Sequence, residues 1–384
     1  EENFSMEPGK VRGKREHISE CRGCNLLKFS AIYGSNAAGK SNYIQAIYFA
    51  QRTILSGIPK HTMNQYHRVN PDNREKPTEF VFEIRLGKKK YRYRFSLNIY
   101  EARFLSESLV DFSTAKEKTI FYRNMVTGEK VAPKLSKTTA ANVRIQTYFD
   151  DMEDNAPNLF LTEMNRNKSQ AYKMIPELHV FEDVYKWFEG KLRIISPEEH
   201  RQYRPELFRD SGAESICKLL QQFGLPITET TVEPVSFEAI IAAIPGDPPV
   251  QIYEDIKNDM LETLREGRKQ GKKGEIILQV GADLYSVNID DNDELVIERL
   301  QLVHGNTGRF NISEESDGTR RLIELVDILL SEKNDVTYIV DEIDRSLHPL
   351  ITKRFIELFL MTAQNVEKQL IVSTHESRLL DLSL

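Results

Sequence analysis

Apolar positions change period several times along the chain, and each change predicts an element. Residues 26–33 (Leu26-Leu27-Lys28-Phe29-Ser30-Ala31-Ile32-Tyr33) form a short, nearly continuous apolar run closed by Gly34, which predicts a buried strand. Tyr43, Ile44, Ile47, Tyr48, Ile54 and Leu55 then recur at helical spacing. Residues 80–86 and 91–97 alternate on either side of Gly87-Lys88-Lys89-Lys90, the pattern of a hairpin, and residues 104–110 and 119–123 add candidate antiparallel strands. Residues 150–223 are mostly helical in pattern, including 184–192 around Trp187, the one tryptophan. Pro226, Pro234, Pro245, Pro248 and Pro249 punctuate a looser stretch. Residues 252–268 predict a charged helix ended by Gly271-Lys272-Lys273-Gly274. Residues 275–280 and 284–289 predict a strand pair, and from Ser313 onward the order is helix, strand, helix, strand. No internal repeat or low-complexity segment interrupts this order. It predicts an α/β fold in three regions, residues 1–149, 150–312 and 313–384.

Composition narrows the class. With 384 residues, 40% hydrophobic and 29% charged, the chain can fill one large or two ordinary domains. A net charge of −6 argues against bulk polyanion binding and leaves nucleic acid only a local patch. Three cysteines make no disulfide framework and suit a reducing cytoplasm. No apolar stretch is long enough to span a membrane. The chain starts Glu1-Glu2-Asn3-Phe4, without Met, and stops after an apparent strand, so a longer protein is expected at both ends.

The chemistry is concentrated at two places. Gly34-Ser35-Asn36-Ala37-Ala38-Gly39-Lys40-Ser41 fits the phosphate-loop pattern G-x-x-x-x-G-K-[ST], and the predicted strand before it and helix after it supply the setting that motif requires. Such a loop curls backbone N–H groups around phosphate oxygens, helped by the positive end of the helix and by Asn42 in its first turn. Lys40 can reach the outer phosphates, and the Ser41 hydroxyl can hold Mg2+. Far downstream, the apolar strand at 337–340 ends in Asp341-Glu342. At the C-terminal end of a parallel strand Asp341 can bind Mg2+ through water, and Glu342 can orient or deprotonate a water nucleophile. An acidic pair at a strand end is also an ordinary turn, and the phosphate loop elsewhere in the chain favours the chemical reading. Ser316-Asp317-Gly318 opens an apolar helix, a second phosphate-seeking N-terminus, and 371–375 (Ile371-Val372-Ser373-Thr374-His375) is a strand running into a histidine.

With these blocks in this order, the chain resembles the ABC-type ATPases, and within them the stand-alone SMC, RecF and OLD lineage. Glu315-Ser316-Asp317-Gly318-Thr319-Arg320-Arg321 and residues 341–349 are similar in wording to ABC-like ATPases of bacterial anti-phage defence. The resemblance implies a mixed sheet around the phosphate loop, an antiparallel β subdomain and a helical insertion or lobe. It implies ATP and Mg2+ as cofactors and a head-to-tail dimer, or a higher oligomer, sandwiching two ATP molecules. In that dimer Lys40, Ser41 and Asp341 of one copy face Ser316 and Gly318 of the other. Glu342 is then the general base, His375 the γ-phosphate contact, and residues 344–347 the D-loop. It further implies a cytoplasmic ATPase governing a separate effector, a TOPRIM or HNH nuclease, since the chain carries no nuclease cluster of its own. Ser-Asp-Gly departs from the transporter Ser-Gly-Gly, Gln65 and His67 are the Q-loop candidates, and residues 224–275 match nothing in the family. A duplex-clamping repair ATPase of RecF type and an ATP-bound assembly scaffold remain alternatives.

Two further patterns have plain readings. His17, Cys21 and Cys24 have the donors for zinc but no fourth ligand, and read as a turn through Gly23. Residues 88–94 (Lys88-Lys89-Lys90-Tyr91-Arg92-Tyr93-Arg94) interleave cations and aromatics as a nucleic-acid stripe does, and equally as a half-solvated hairpin does. The basic stretch 265–273 reads as a solvated helix end.

Overall fold

A computed structural model describes residues 3–10, 13–21, 24–135, 139–152, 158–197, 210–244, 250–269 and 275–377. Gly23, the helix-ending residues Gly271-Lys272-Lys273-Gly274 expected from sequence, and Pro245, Pro248 and Pro249 lie outside them. Strands β1 (Ile18–Cys21) and β2 (Cys24–Leu27) form a hairpin, followed by β3 (Phe29–Tyr33). The run 26–33 is therefore two strands and not one. Its break is Lys28, whose Nζ turns back to the Glu16 carbonyl at 2.7 Å while its own carbonyl accepts the Leu370 N–H at 2.8 Å. Helix α1 (Lys40–Ser56) buries Ile44, Ala50 and Ile54. Strands β4 (Thr78–Leu86), β5 (Lys89–Asn98), β6 (Arg103–Asp111), β7 (Lys118–Asn124) and β8 (Lys130–Val131) then pair in chain order, all antiparallel.

Helices α2 (Thr139–Asp150), α3 (Phe160–Met164), α4 (Ser169–Met174) and α5 (His179–Lys186) follow. After a π turn (Trp187–Lys191) comes β9 (Leu192–Ile195). The mostly helical expectation for 150–223 missed this strand. Four residues are too short to show a period of their own, and β9 takes its conformation from a parallel neighbour. The next stretch contains α6 (Asp210–Gln222), β10 (Ile227–Pro234), α7 (Phe237–Ala243), α8 (Val250–Lys269), β11 (Ile276–Val280) and β12 (Asp283–Ile289). After these come β13 (Leu295–His304), β14 (Gly308–Asn311), α9 (Asp317–Leu330), β15 (Val336–Val340), α10 (Pro349–Thr362) and β16 (Lys368–Thr374). The loose, proline-marked stretch thus holds an eight-residue strand, with Pro226 before it and Pro234 as its last residue. There, on an edge strand, a missing N–H does little harm. Among the described residues no helix is long and apolar enough to cross a membrane.

The chain divides into two compact units. The first comprises Glu1–Ile195, Lys333–Asp341 and Ala363–Ser373. Its four-stranded sheet has the order β3-β16-β15-β9, with β15 parallel to both β16 and β9. Every residue of β15 is buried, as a strand inside a parallel sheet requires. The antiparallel sheet of this unit shares the core, in which Phe121, Phe149, Phe160 and Phe181 meet largely edge-on. One carboxylate is sealed into that core. Glu107 is 0% exposed and accepts from Tyr93 OH (2.9 Å), Arg123 Nε (3.0 Å), Phe160 N (2.7 Å) and Leu161 N (3.0 Å). It caps the first turn of α3, and burial beside it pushes the Tyr93 phenol well above its ordinary pKa, so that Tyr93 stays a donor. Glu107→Ala should lower unfolding stability by about 3–5 kcal/mol, because it strands a buried guanidinium together with three other donors. Urea denaturation of the two proteins measures this, and a loss below about 1 kcal/mol would contradict it.

The second unit comprises Ser196–Glu332, Glu342–Thr362 and Thr374–Leu384. The expected strand pair β11–β12 is one end of a larger antiparallel sheet, in the order β10-β13-β12-β11 with β14 on β13. Ile240, Leu264, Tyr285, Val287 and Ile297 form its core beneath α7 and α8. The Asp283 carboxylate accepts both the N–H and the hydroxyl of Ser313 at 2.8 Å, which anchors the chain just before α9. Helix α9 packs against α6 and α10 and buries Leu322, Ile323, Leu325 and Val326.

Candidate functional site

In the first unit β3 delivers the chain to the loop 34–39, which turns into α1. Ala37 (φ 61°) and Gly39 (φ 91°) both take left-handed backbone, the geometry that makes successive N–H groups line one concavity. Among the described residues no side chain caps α1 and its first turn holds no acidic residue, a setting in which a helix N-terminus can receive an anion. Lys40 is 8% exposed, and its Nζ donates to the carbonyls of Gly34 (2.7 Å) and Ser35 (3.0 Å), holding the loop curled. At Gly34 a Cβ would stand 3.3 Å from the Ala38 Cβ, so the loop would have to give by a few tenths of an ångström.

The far end of the chain arrives at this loop through the parallel sheet. The Ser41 hydroxyl donates to Asp341 Oδ1 at 3.3 Å, across 300 positions of sequence. Asp341 is 2% exposed, and its N–H continues the ladder to Ile195 O at 2.9 Å. The same Oδ1 accepts from the Ser373 hydroxyl. The register Val340↔Val372 makes Asp341 and Ser373 the next residues on adjacent strands, which is why they meet. A hydroxyl beside a carboxylate is a hard-oxygen pair that suits Mg2+. Ser373 is not among the expected site residues, because the pattern of this strand points only to its histidine. Parallel register was the signal that could have found it.

In the second unit Ser316 caps α9. Its Oγ accepts the Thr319 N–H (3.1 Å) and pairs with Thr319 Oγ1 (2.9 Å). Asp317, the first residue of α9, is held by Arg320 at 2.5 Å, so the negative charge at this helix end has a counter-ion. Gly318 abuts the turn after Glu342: a Cβ there would lie 2.8 Å from the Ser346 carbonyl oxygen. Glu342 (φ 48°) and Ser346 (φ 61°) are both left-handed. Glu342 Oε1 lies 3.9 Å from His375 Nε2, each side chain about a third exposed, and Asp344 Oδ2 accepts the His375 N–H at 3.3 Å. Glu342, Asp344 and His375 thus form one group, as Ser41, Asp341 and Ser373 form another.

Residues 29–132 and 245–381 match the family described as "AAA domain, putative AbiEii toxin, Type IV TA system". The chain belongs to that family. The matched segments include the phosphate loop, Ser316, Gly318, Asp341, Glu342 and His375. No curated protein matches the chain. Among solved structures, an SMC head bound to the C-terminal winged-helix domain of ScpA aligns over 92% of this chain and 84% of its own, at 14% identity. Its TM-score of 0.35 is too low to bear on the argument. The expected α/β P-loop ATPase fold, with parallel and antiparallel sheets, stands on the topology and the family match.

Other sequence signals in this AAA-family chain have structural partners. The stripe at 88–94 is a hairpin face: Tyr91 and Tyr93 point to the core, while Lys89 pairs with Asp111, Arg92 with Glu83 and Glu117, and Arg94 with Glu79. Arg265 and Arg268 pair with Asp293, and Arg268 also with Asp291. Cys21 and Cys24 oppose each other in the β1–β2 hairpin, and burial lowers the His17 pKa. Among the described residues no three His, Cys, Asp or Glu side chains converge as a metal cluster. Gln65 is exposed with its N–H on Thr62 O, and His67 is tied to Asn73, so both serve the loop between α1 and β4. If Ser373 steadies Asp341 for the metal, Ser373→Ala should raise the Mg2+ dependence of nucleotide binding roughly fivefold, the worth of about 1 kcal/mol. Calorimetric titration at stepped Mg2+ concentrations measures it, and an unchanged midpoint would count against the role.

Proposed function

We propose that this chain is an ATP-hydrolysing switch, the cytoplasmic ATPase subunit of a prokaryotic anti-phage defence complex. It works as an ATP-sandwich dimer on a separate nuclease effector of TOPRIM or HNH type. The observation that carries the reading is the Ser41–Asp341 contact, which joins the phosphate loop to the acidic strand end across most of the sequence. In this reading the amides of 34–42 and Lys40 bind the triphosphate. Ser41 and Asp341 would hold Mg2+, whose charge would offset that of the phosphates. Glu342 accepts a proton from the attacking water, and His375 contacts the γ-phosphate. Ser316 and Gly318 of a second copy close the site. The toxin–antitoxin wording of the family description supports a defence role. The carboxylate partners of the 88–94 stripe weigh against a duplex clamp through that face.

Phosphate release by the full-length protein, with light scattering in the presence and absence of ATP, tests the enzyme. Turnover that requires Mg2+ and a mass that doubles with ATP are expected. Absence of ATP binding would overturn the reading, and tight binding without turnover would leave the scaffold. Affinity purification from the host tests the effector: a nuclease should co-purify, and its absence would remove that half of the proposal.

A further inference from the structure

Helix α9 carries a residue that neither the phosphate contacts nor the core packing explains. Arg321 is buried, with 5% of its side chain exposed, on the same helix that buries Leu322, Ile323 and Leu325. A guanidinium is expensive to take out of water and does not persist there without partners of suitable geometry. Two are present. Nη1 donates to Glu324 Oε2 one turn on, at 3.0 Å, with that carboxylate 9% exposed. Nη2 donates to the backbone carbonyl of Glu342 at 3.3 Å.

We infer that Arg321 is a positioning residue for Glu342, coupling the Ser316–Gly318 end of α9 to the carboxylate that activates water in the same chain. The inference rests on the reading of Glu342 as general base. Glu342 has a left-handed backbone (φ 48°), a region that non-glycine residues occupy only when their surroundings hold them there. Together with the Arg345 N–H, which donates to the same carbonyl at 3.0 Å, the guanidinium sets the plane of the following peptide and, with it, the direction in which the side chain leaves the backbone toward His375, 3.9 Å away. Glu324 neutralises the guanidinium and keeps its fork aimed. The same helix meets the other end of this turn at Gly318, which leaves no room for a Cβ against Ser346 O. Arg321 at the start and Gly318 at the end therefore fasten residues 342–346 to α9. A shift of α9 when Ser316 and Gly318 are engaged is then passed to Glu342 through the guanidinium at one end of the turn and the close backbone contact at the other. A purely structural arginine would stabilise α9 without setting the rate of hydrolysis.

The test uses full-length protein and three variants: R321K, E324Q and R321K combined with E342Q. Lysine keeps the charge and loses the planar two-handed grip. R321K should bind a fluorescent ATP analogue within about twofold of wild type and keep the ATP-dependent dimer. Its kcat should fall at least tenfold with KM unchanged. E324Q should show the same split more mildly, and it keeps the question open to measurement if R321K does not fold. Added to E342Q, R321K should lower the residual rate by less than twofold, because the group it positions is already gone. An unchanged kcat, a parallel loss of ATP binding, or fully additive losses in the double variant would overturn the inference. Wild-type-like turnover in E342Q alone would instead remove the general-base reading, whatever the Arg321 variants do.

Discussion

Glu342→Gln should give a protein that binds ATP, dimerises and scarcely turns over. Glutamine keeps the size and the hydrogen-bonding oxygen but cannot take the proton of the attacking water. Losing a general base lowers a rate by about 10²–10⁴, or ~3–5 kcal/mol of barrier. The left-handed backbone at 342 and the Arg321 contact to its carbonyl are untouched by the change, so the fold should persist. Single-turnover phosphate release measures the rate, and light scattering with ATP the assembly. The ATP-bound dimer should accumulate, because the step that ends it is blocked. Cellular function separates switch from scaffold: a switch fails in this variant, whereas a scaffold goes on working. A rate within threefold of wild type would remove Glu342 from the chemistry.

Lys40→Ala should act earlier, on binding. The ammonium bonds Gly34 O and Ser35 O, so it braces the curl of the loop. Deletion removes both a charged donor to the triphosphate and the brace of the loop. Hydrogen bonds to charged groups are worth about 1.5–3 kcal/mol each, so ATP affinity should fall about 10- to 100-fold. Arginine should not rescue it, since its planar fork does not fit between two carbonyls less than one turn apart. Calorimetry with ATP and Mg2+ gives the number, and an affinity equal to wild type would show that this loop is not the triphosphate site.

Local patterns made half of the fold and most of the candidate residues legible. The loop 34–41, the alternating strands β4 to β7 and the return to helix and strand after Ser313 each carry their signal within a dozen residues. What was lost depends on partners far away in the chain. Strand β9 is a strand because β15 lies beside it, and β10 is one because β13 does, despite prolines at its borders. The break at Lys28 follows from two competing sheet neighbours for one apolar run. At the site, Lys40, Ser41 and Asp341 could be read from motif spacing. Ser373 and Arg321 could not, because the first acts through strand register and the second through a carbonyl, which leaves no mark on side-chain composition. The basic stripe was ambiguous in sequence for the same reason: its carboxylate partners come from neighbouring strands and loops.

The contact between Gly318 and the Ser346 carbonyl has an evolutionary side. Two positions that touch without space for a methyl group are not free to drift separately. A relative that carries alanine or serine at the place of Gly318 is expected to have redrawn its turn at the place of Ser346, by a residue inserted, deleted or exchanged. Paired variation between these sites, in lineages that otherwise diverge freely, would be the historical trace of that missing gap.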